Sequence, residues 1–335
     1  MLSVKAIGEK INRRATYLGR DIGHAFNLHE QFFKNARGSR ILVYHGLCER
    51  DHTRFNPIFL TKSIFEEHLK LYQKYCNVIS LDDYYIGNFS DSKFNICLTF
   101  DDGYANNYKY VLPLLRKYKM PATFFITAIR HAGYDILWND FLNIVSKYGP
   151  KNIWYKFDQY YKGRYGHYIS AATGISLVEK LRAAGFDKKA EMIEMLHQLA
   201  QFKSNIAEED YWLQMTEAQI KALSKSPLVT IGAHGYYHND LSMISLPDAQ
   251  HELAFTKQYL ENIIQKPVNS FAFPYGSYTT DVIKVAKELG YTQLLATDFH
   301  DKNDEADATL RERFTVNPFI SPLNQLYATI ARRYE

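Results

Sequence analysis

An apolar run that ends in two adjacent carboxylates is the feature that most constrains how this chain can fold. Residues 96–100 (ICLTF) have the composition of a buried strand, and Asp101, Asp102 and Gly103 follow at once. Buried charges are costly unless something cationic compensates them, so a metal ion at the end of this strand would explain the acid pair. The alternative from this stretch alone is a turn with two solvated acids, in which Gly103 supplies a positive φ.

Short apolar runs alternate with amphipathic stretches along the rest of the chain. Runs typical of buried strands occur at residues 40–45, 77–80, 121–127, 228–233, 270–273, 293–297 and 315–317. Near-continuous apolar strands separated by helical periodicity predict a parallel α/β sheet or barrel. Functional groups in such folds collect at the carboxyl ends of the strands, where His45, Asp101 and Asp102 stand.

The chain divides into a lead-in, one α/β domain and an insertion. Residues 1–39 form a helical lead-in, residues 40–335 form the α/β domain, and between about residues 132 and 215 the strand rhythm lapses. We therefore predict a mainly helical insertion that could roof the site. The lead-in has no apolar run long enough for a signal peptide or a membrane span, so we expect a cytoplasmic protein. Its amphipathic helices, with Arg13 and Arg14 exposed, could make weak contact with a membrane surface.

The composition narrows the classes of function. The 335 residues include 40 basic and 36 acidic residues spread along the chain, a net charge of +4, which gives no electrostatic support for nucleic-acid binding. The 26 Tyr, 21 Phe and 3 Trp residues suit carbohydrate faces, although tyrosine-rich cores also occur. Three cysteines without a CxxC spacing argue against a disulfide framework or a cysteine-built metal site.

A pair of histidines follows another predicted strand. His234 and His238 stand four residues apart after residues 228–233. Two imidazoles at this spacing can face one point if the segment turns helically, and the alternative is two exposed histidines. Two histidines and one carboxylate leave coordination positions open, which is the arrangement of a hydrolytic metal site rather than a structural one. The second carboxylate is then free to accept a proton.

Three motifs, in this order, resemble those of the polysaccharide deacetylase family, the NodB-homology group known as carbohydrate esterase family 4. They are TFDDG at residues 99–103, HGYYH at 234–238 and FPYG at 273–276. VYHG at residues 43–46 and PATFF at 121–125 are similar to a subgroup with Tyr-His in its first strand. The resemblance implies an α/β fold of the distorted (β/α)7 barrel type.

The resemblance also implies a role for each motif residue. Asp101 would be the general base, and Asp102, His234 and His238 would bind a divalent metal, usually Zn²⁺. The backbone N–H of Tyr275 would help to bind the oxyanion of the reaction. The implied reaction is hydrolysis of an N-acetyl group, or alternatively an O-acetyl group, on a sugar of a glycan or glycan precursor.

Two positions depart from the family pattern. Gly235 stands between the histidines where Ser or Thr is usual. Ala272 stands where many members have an arginine that pairs with the catalytic aspartate. Asp101 would then need another partner, for which Arg311 and Arg313 are the candidates; both are also candidates for binding the substrate.

The general acid and the sugar-binding residues are less directly indicated. No Leu-x-His motif stands near the C-terminus to supply the acid, so His45 is the first candidate and His300 the second. Pro274 of the FPYG motif is expected to contact substrate. Trp138 and Asp140, at the start of the insertion, are expected to line the sugar pocket, although Trp138 could equally be a core residue.

Three functions fit these residues. The first is a metal-dependent sugar N-deacetylase, for which a cytoplasmic location would favour a nucleotide-linked or lipid-linked precursor. The second is an amidohydrolase that uses the same metal to cut a C–N bond in a non-sugar amide or cyclic imide. The third is a non-catalytic glycan-binding protein on the same fold, suggested by Ala272 and the missing acid histidine.

Overall fold

A parallel sheet that nearly closes on itself forms the core of the fold. The computed structural model describes residues 4–334, apart from residues 56, 165, 200 and 205. The strands, in chain order, are Ser39–Tyr44 (β1), Leu47–Cys48 (β2), Leu60–Thr61 (β3), Cys76–Ile79 (β4), Phe94–Phe100 (β5), Ala122–Ile126 (β6), Asn152–Tyr155 (β7), Asp158–Lys162 (β8), Tyr168–Ser170 (β9), Val229–Ala233 (β10), Ser270–Ala272 (β11), Gln293–Ala296 (β12), Leu310–Glu312 (β13) and Phe314–Thr315 (β14).

Helices connect most of these strands and cover the outside of the sheet. In chain order the α-helices are Val4–Ala25 (α1), Glu30–Asn35 (α2), Lys62–Tyr75 (α3), Leu81–Tyr85 (α4), Leu112–Tyr118 (α5), Trp138–Tyr148 (α6), Leu177–Arg182 (α7), Phe186–Met195 (α8), Glu217–Leu223 (α9), Leu246–Ile264 (α10), Thr280–Glu288 (α11) and Pro322–Ala331 (α12). A π-helical turn, Asn107–Val111, leads into α5, and 3₁₀ segments span His197–Leu199, Gln201–Ser204, Ile206–Tyr211, Pro274–Gly276 and Asp304–Ala306.

The strand order confirms the predicted barrel class. Neighbouring strands run in the order β13-β12-β11-β10-β6-β5-β1-β14, and β4 pairs with the first half of β5. Every pairing in this sheet is parallel. Arg313 alone separates β13 from β14, which stand at the two ends of the order. Counted as one interrupted strand, residues 310–315 complete seven strands around the barrel within the described part of the chain.

The strands are apolar on both faces because both faces are covered. All residues of β5 and β6 are buried. One face packs against the surrounding helices in the main hydrophobic core. The other faces the barrel interior, which is filled by a small cluster of buried side chains: Ile41, Cys97, Phe125, Ala272 and Leu295, with Leu81 below them. This double burial explains why the sequence shows continuous apolar runs rather than strict alternation.

The insertion holds a small sheet that the sequence did not indicate. Besides α6, α7 and α8 it contains β7, β8 and β9, which form a three-stranded antiparallel sheet. In β7 buried and exposed residues alternate, but one of the exposed residues is Trp154, 63% exposed. An apolar residue on the solvent side hides the polar–apolar alternation by which a half-buried strand is recognised.

Two helices precede the barrel. α1 lies against α12, where Ser321 and Asn324 donate hydrogen bonds to the carboxylate of Asp21. Residues 1–3 of the predicted lead-in lie outside the described residues. No helix in the described part of the chain combines the length and the apolar character that crossing a membrane would require.

The loop after β10 is built around a buried glutamate. Oε2 of Glu252, on α10, accepts hydrogen bonds from the backbone N–H groups of Tyr236 (2.5 Å) and Tyr237 (3.0 Å), and Oε1 accepts one from the Asn239 side chain (2.7 Å). Gly235 has a φ of +79°, and a Cβ at this position would lie 2.8 Å from Oε2 of Glu252. The carboxylate therefore occupies the space that a Ser or Thr side chain would need.

We expect Gly235→Ala to destabilise the fold by about 2–4 kcal/mol, since it combines left-handed backbone strain with a clash against a buried carboxylate. Gly87→Ala is the matched control, because Gly87 has a similar φ of +73° but no neighbouring atom within 4 Å of the added Cβ. Its cost should be about 1–2 kcal/mol, from backbone strain alone. Urea unfolding of both variants measures the difference, and equal losses would contradict the role of Glu252.

Candidate active site

Three buried side chains from two loops meet at the carboxyl end of the barrel. One ligand atom each from Asp102, His234 and His238 lies within 4.8 Å of the other two. The Nε2 atoms of both histidines are 3.2 Å from Oδ1 of Asp102. Two imidazole nitrogens and one carboxylate oxygen suit a divalent metal such as zinc, with coordination positions left for water or substrate. The structure thus brings together the three ligands that the motifs predicted.

Hydrogen bonds hold the ring of His234 and the backbone of His238. Nδ1 of His234 lies 2.7 Å from the carbonyl oxygen of Ala272, at the end of β11. Because a carbonyl only accepts, Nδ1 must carry the proton, and the lone pair of Nε2 points towards Asp102. The carbonyl of His238 accepts a hydrogen bond from Nε1 of Trp138 at 3.4 Å. The ring of His234 and the backbone of His238 are therefore each held by a contact outside the ligand set.

Left-handed backbone conformations cluster at this site. Asp102, His238 and Tyr275 have φ values of 75°, 56° and 61°. Residues other than glycine avoid this region, at a cost of about 1–3 kcal/mol each, and they persist in it where the surrounding structure fixes them, commonly at functional sites. Two of the three ligands and the centre of the FPYG turn are thus strained in the same small volume.

Asp101 is held apart from the ligand set by Arg313. The guanidinium makes a two-pronged contact, with Nη1 2.7 Å from Oδ1 and Nη2 2.8 Å from Oδ2. Both side chains are buried, and Nη1 also contacts Oγ1 of Thr99. Burial would raise the pKa of Asp101, but the charges of Arg313 and His234 outweigh it and hold that pKa below its usual value. Asp101 is therefore ionised and fixed in orientation, with Arg313 in place of the arginine missing at residue 272.

Arg311 does not share this position. Arg311 stands two residues before Arg313, which puts it about 6–7 Å nearer the amino end of the strand. Its guanidinium donates to the carbonyls of Asp307 and Leu310 and lies over the ring of Tyr85, 5.1 Å from its centre. Of the two candidate arginines, Arg313 and not Arg311 therefore pairs with Asp101. The guanidinium of Arg313 is buried in that pair, and substrate binding by Arg311 stays a prediction.

Trp138 and Asp140 are core residues rather than walls of a sugar pocket. Trp138 is fully buried in the core of the insertion, so its predicted contact with sugar is wrong. Asp140 is also buried and accepts a hydrogen bond from the hydroxyl of Tyr104 at 2.7 Å. Pro274 is buried as well, 3.6 Å from the position that a Cβ on Gly235 would take. These residues therefore belong to the buried packing around the site.

The two candidate acids lie in different places. β1 pairs with β5 so that Tyr44 is opposite Phe100, which puts His45 next to Asp101. Burial holds the pKa of His45 below its usual value, and the nearby charges of Asp102 and Asp101 oppose this effect without overcoming it. His300 is exposed and stacks on the ring of Tyr278, 4.2 Å between ring centres. The structure therefore brings His45, and not His300, to the carboxylate pair.

Two cations of the insertion, which the sequence did not single out, hold the segment after His238. Arg182 contacts the buried carboxylate of Asp240 through Nε (2.8 Å) and Nη2 (2.7 Å). Its guanidinium also lies 4.4 Å from the ring centre of Tyr275. Lys189, fully buried, donates to the side chain of Asn239. The polar pair Asn239–Asp240 directly after a predicted ligand was the signal available in the sequence.

Comparison with known proteins agrees with the motifs. The family model described as polysaccharide deacetylase matches residues 90–294, a span that contains Asp101, Asp102, His234, His238 and Tyr275. A protein named for the same family, YxkH of Bacillus subtilis (strain 168), is 21% identical over 285 residues, which are 84% of this chain and 72% of that protein.

Solved structures show the same fold. The Streptococcus pyogenes deacetylase PplD, in complex with acetate, is 18% identical with a TM-score of 0.52, over 87% of this chain and 97% of that one. IcaB from Ammonifex degensii is 18% identical with a TM-score of 0.52, over 88% of this chain and 98% of that one. Since the family model covers more than half of the residues and includes Asp102, His234 and His238, the chain belongs to the polysaccharide deacetylase family.

Proposed function

We propose that this protein is a metal-dependent deacetylase that hydrolyses the N-acetyl group of a sugar in a glycan or glycan precursor, with an O-acetyl group as the alternative bond. The observation that carries the proposal is the separation of the two adjacent carboxylates. Asp102 faces the histidine pair, whereas Asp101 is held by Arg313. This separation supports metal binding by Asp102 and proton transfer by Asp101.

The ligand set supports metal dependence. Bound by Asp102, His234 and His238, a divalent metal such as zinc would polarise the acetyl oxygen and a water molecule. Asp101 lies beside this set, with Oδ2 4.0 Å from Nε2 of His234. Its carboxylate oxygens each keep a lone pair beyond those that face Arg313, so Asp101 can take a proton from the attacking water.

Two further groups are placed to complete the reaction. The turn at Tyr275, next to the ring of His238 (4.9 Å between centres), would direct its backbone N–H at the oxyanion. Such a donor typically contributes about 3–4 kcal/mol to lowering the barrier. His45, beside Asp101, would give a proton to the departing amine of the sugar.

The competing functions have less support. The non-catalytic alternative rested on Ala272 and on the missing acid histidine, and Arg313 and His45 stand where those groups would be needed. No contact of the described residues favours a cyclic imide or another non-sugar amide over an acetylated sugar, so that alternative becomes an outcome of the substrate tests.

Replacing each carboxylate by an amide, one at a time, separates the roles of Asp101 and Asp102. We expect Asp101→Asn to keep one metal per chain and to lower the rate of acetate release about 10²–10⁴-fold, the usual contribution of a general base. Asp102→Asn should instead lose the metal together with the activity. Elemental analysis and an acetate assay on both proteins measure this. Equal metal loss in the two variants would contradict the assignment.

Arg313 should set the acidic limb of the pH profile. Arg313→Met removes the cation that lowers the pKa of Asp101, so this pKa rises. As the pH is lowered, the base is then protonated earlier, and we expect the acidic limb to move to higher pH by about 1 unit or more. Arg311→Met is the matched control and should leave the limb in place. A profile of kcat/KM against pH for both variants decides, and an equal shift with Arg311→Met would refute the role of Arg313.

His45 should matter only when the leaving group needs a proton. We expect His45→Gln to lower kcat on an N-acetyl sugar about 10²–10⁴-fold, as for other general acids. The loss should largely disappear with an acetyl ester of 4-nitrophenol, whose leaving group departs without protonation. His300→Gln serves as control and should keep full activity. A deficit of His45→Gln that is the same on both substrates would speak against His45 as the acid.

A further inference from the structure

Contacts with α12 fix which side of α1 faces the protein. Asp21 accepts hydrogen bonds from Ser321 and Asn324, and the hydroxyl of Tyr17 donates to the carbonyl of Tyr334. The guanidinium of Arg20 lies 3.9 Å from the ring centre of Tyr327. Polar and aromatic side chains of α1 therefore face the protein, whereas a surface helix usually turns its apolar side towards the protein.

The opposite side of α1 carries a row of exposed apolar residues. Leu18 and Ile22 stand four residues apart on one face of α1, and Phe26 lies directly after the end of the helix. They are 61%, 52% and 74% exposed, and Leu28, just beyond, is 73% exposed. Single exposed apolar residues are ordinary, but an aligned row of large ones marks a surface that binds something. We call Leu18, Ile22 and Phe26 the outer row.

Positive charge accompanies the outer row. α1 contains five Lys or Arg residues and two acidic residues, Glu9 and Asp21. Asp21 is engaged by α12, while Lys10 and Arg14 are exposed. An apolar face bordered by cationic side chains matches the interface of a bilayer that contains anionic lipids.

We propose that α1 lies in the interface of an anionic phospholipid bilayer, with the outer row among the acyl chains and with Lys10 and Arg14 at the level of the phosphates. This proposal goes beyond the deacetylase function and needs neither metal nor catalysis.

Sedimentation of the full chain with lipid vesicles tests the proposal. We expect at least tenfold stronger binding to vesicles of phosphatidylcholine with 30% phosphatidylglycerol than to phosphatidylcholine alone, and weaker binding as salt is raised. The double variant Leu18→Ser/Ile22→Ser should bind at least tenfold more weakly. Lys10→Gln and Arg14→Gln should each cost about fivefold on anionic vesicles. Ile86→Ser is the matched control, since Ile86 is 78% exposed outside α1, and it should bind like the wild type.

Two results would overturn the proposal. One is binding that is absent or equal on both kinds of vesicle. The other is a dimer in size-exclusion chromatography that Leu18→Ser/Ile22→Ser dissociates, without vesicle binding by the wild type, which would assign the outer row to a second copy of the chain. Because vesicle binding is measured without substrate, failure of the deacetylase assignment would leave this result unaffected.

Discussion

The buried ion pair between Asp101 and Arg313 is the interaction on which the rest of the site depends. Asp101 and Asp102 are neighbours in the chain, and both are only 3% exposed. Two adjacent buried carboxylates are tolerable only if each has its own cationic partner. Arg313 supplies a planar fork that matches one carboxylate, and the histidine pair faces the other. Different partners thus give chemically identical residues different roles.

The same arginine stands where the barrel sheet is interrupted. β13 pairs with β12 and β14 pairs with β1, so Arg313 lies at the junction and turns into the barrel towards Asp101. Ala272, small and on the interior side, takes part through its backbone carbonyl, which fixes the tautomer of His234. The ligand loop is held from two other directions, by Glu252 of α10 and by the cations of the insertion. The insertion is thereby a structural support of the metal site.

The site residues that could be predicted from the sequence are those that directly follow a predicted strand. Asp101, Asp102, His234 and His238 were found because an acid pair and a histidine pair each follow a predicted strand of one alternating fold, although either pair alone has ordinary structural explanations. The choice between Arg311 and Arg313 was open, because only the register of β13 and β14 decides which of them reaches Asp101. The place of Trp138 was left open because a buried and a sugar-facing tryptophan look alike in sequence, and the structure puts it in the core. Glu252 was missed because nothing distinguishes it within α10 until the loop folds over it.

The central claim is that a metal held by Asp102, His234 and His238 makes this protein a deacetylase. The most direct measurement is acetate release from N-acetylated sugars, free, nucleotide-linked, lipid-linked and polymeric, by protein stripped with a chelator and then reloaded with zinc. The account predicts no acetate from the stripped protein and recovery on reloading with one zinc per chain. Acetate release that survives complete removal of metal, or zinc-loaded protein that releases none from any acetylated sugar, would contradict it.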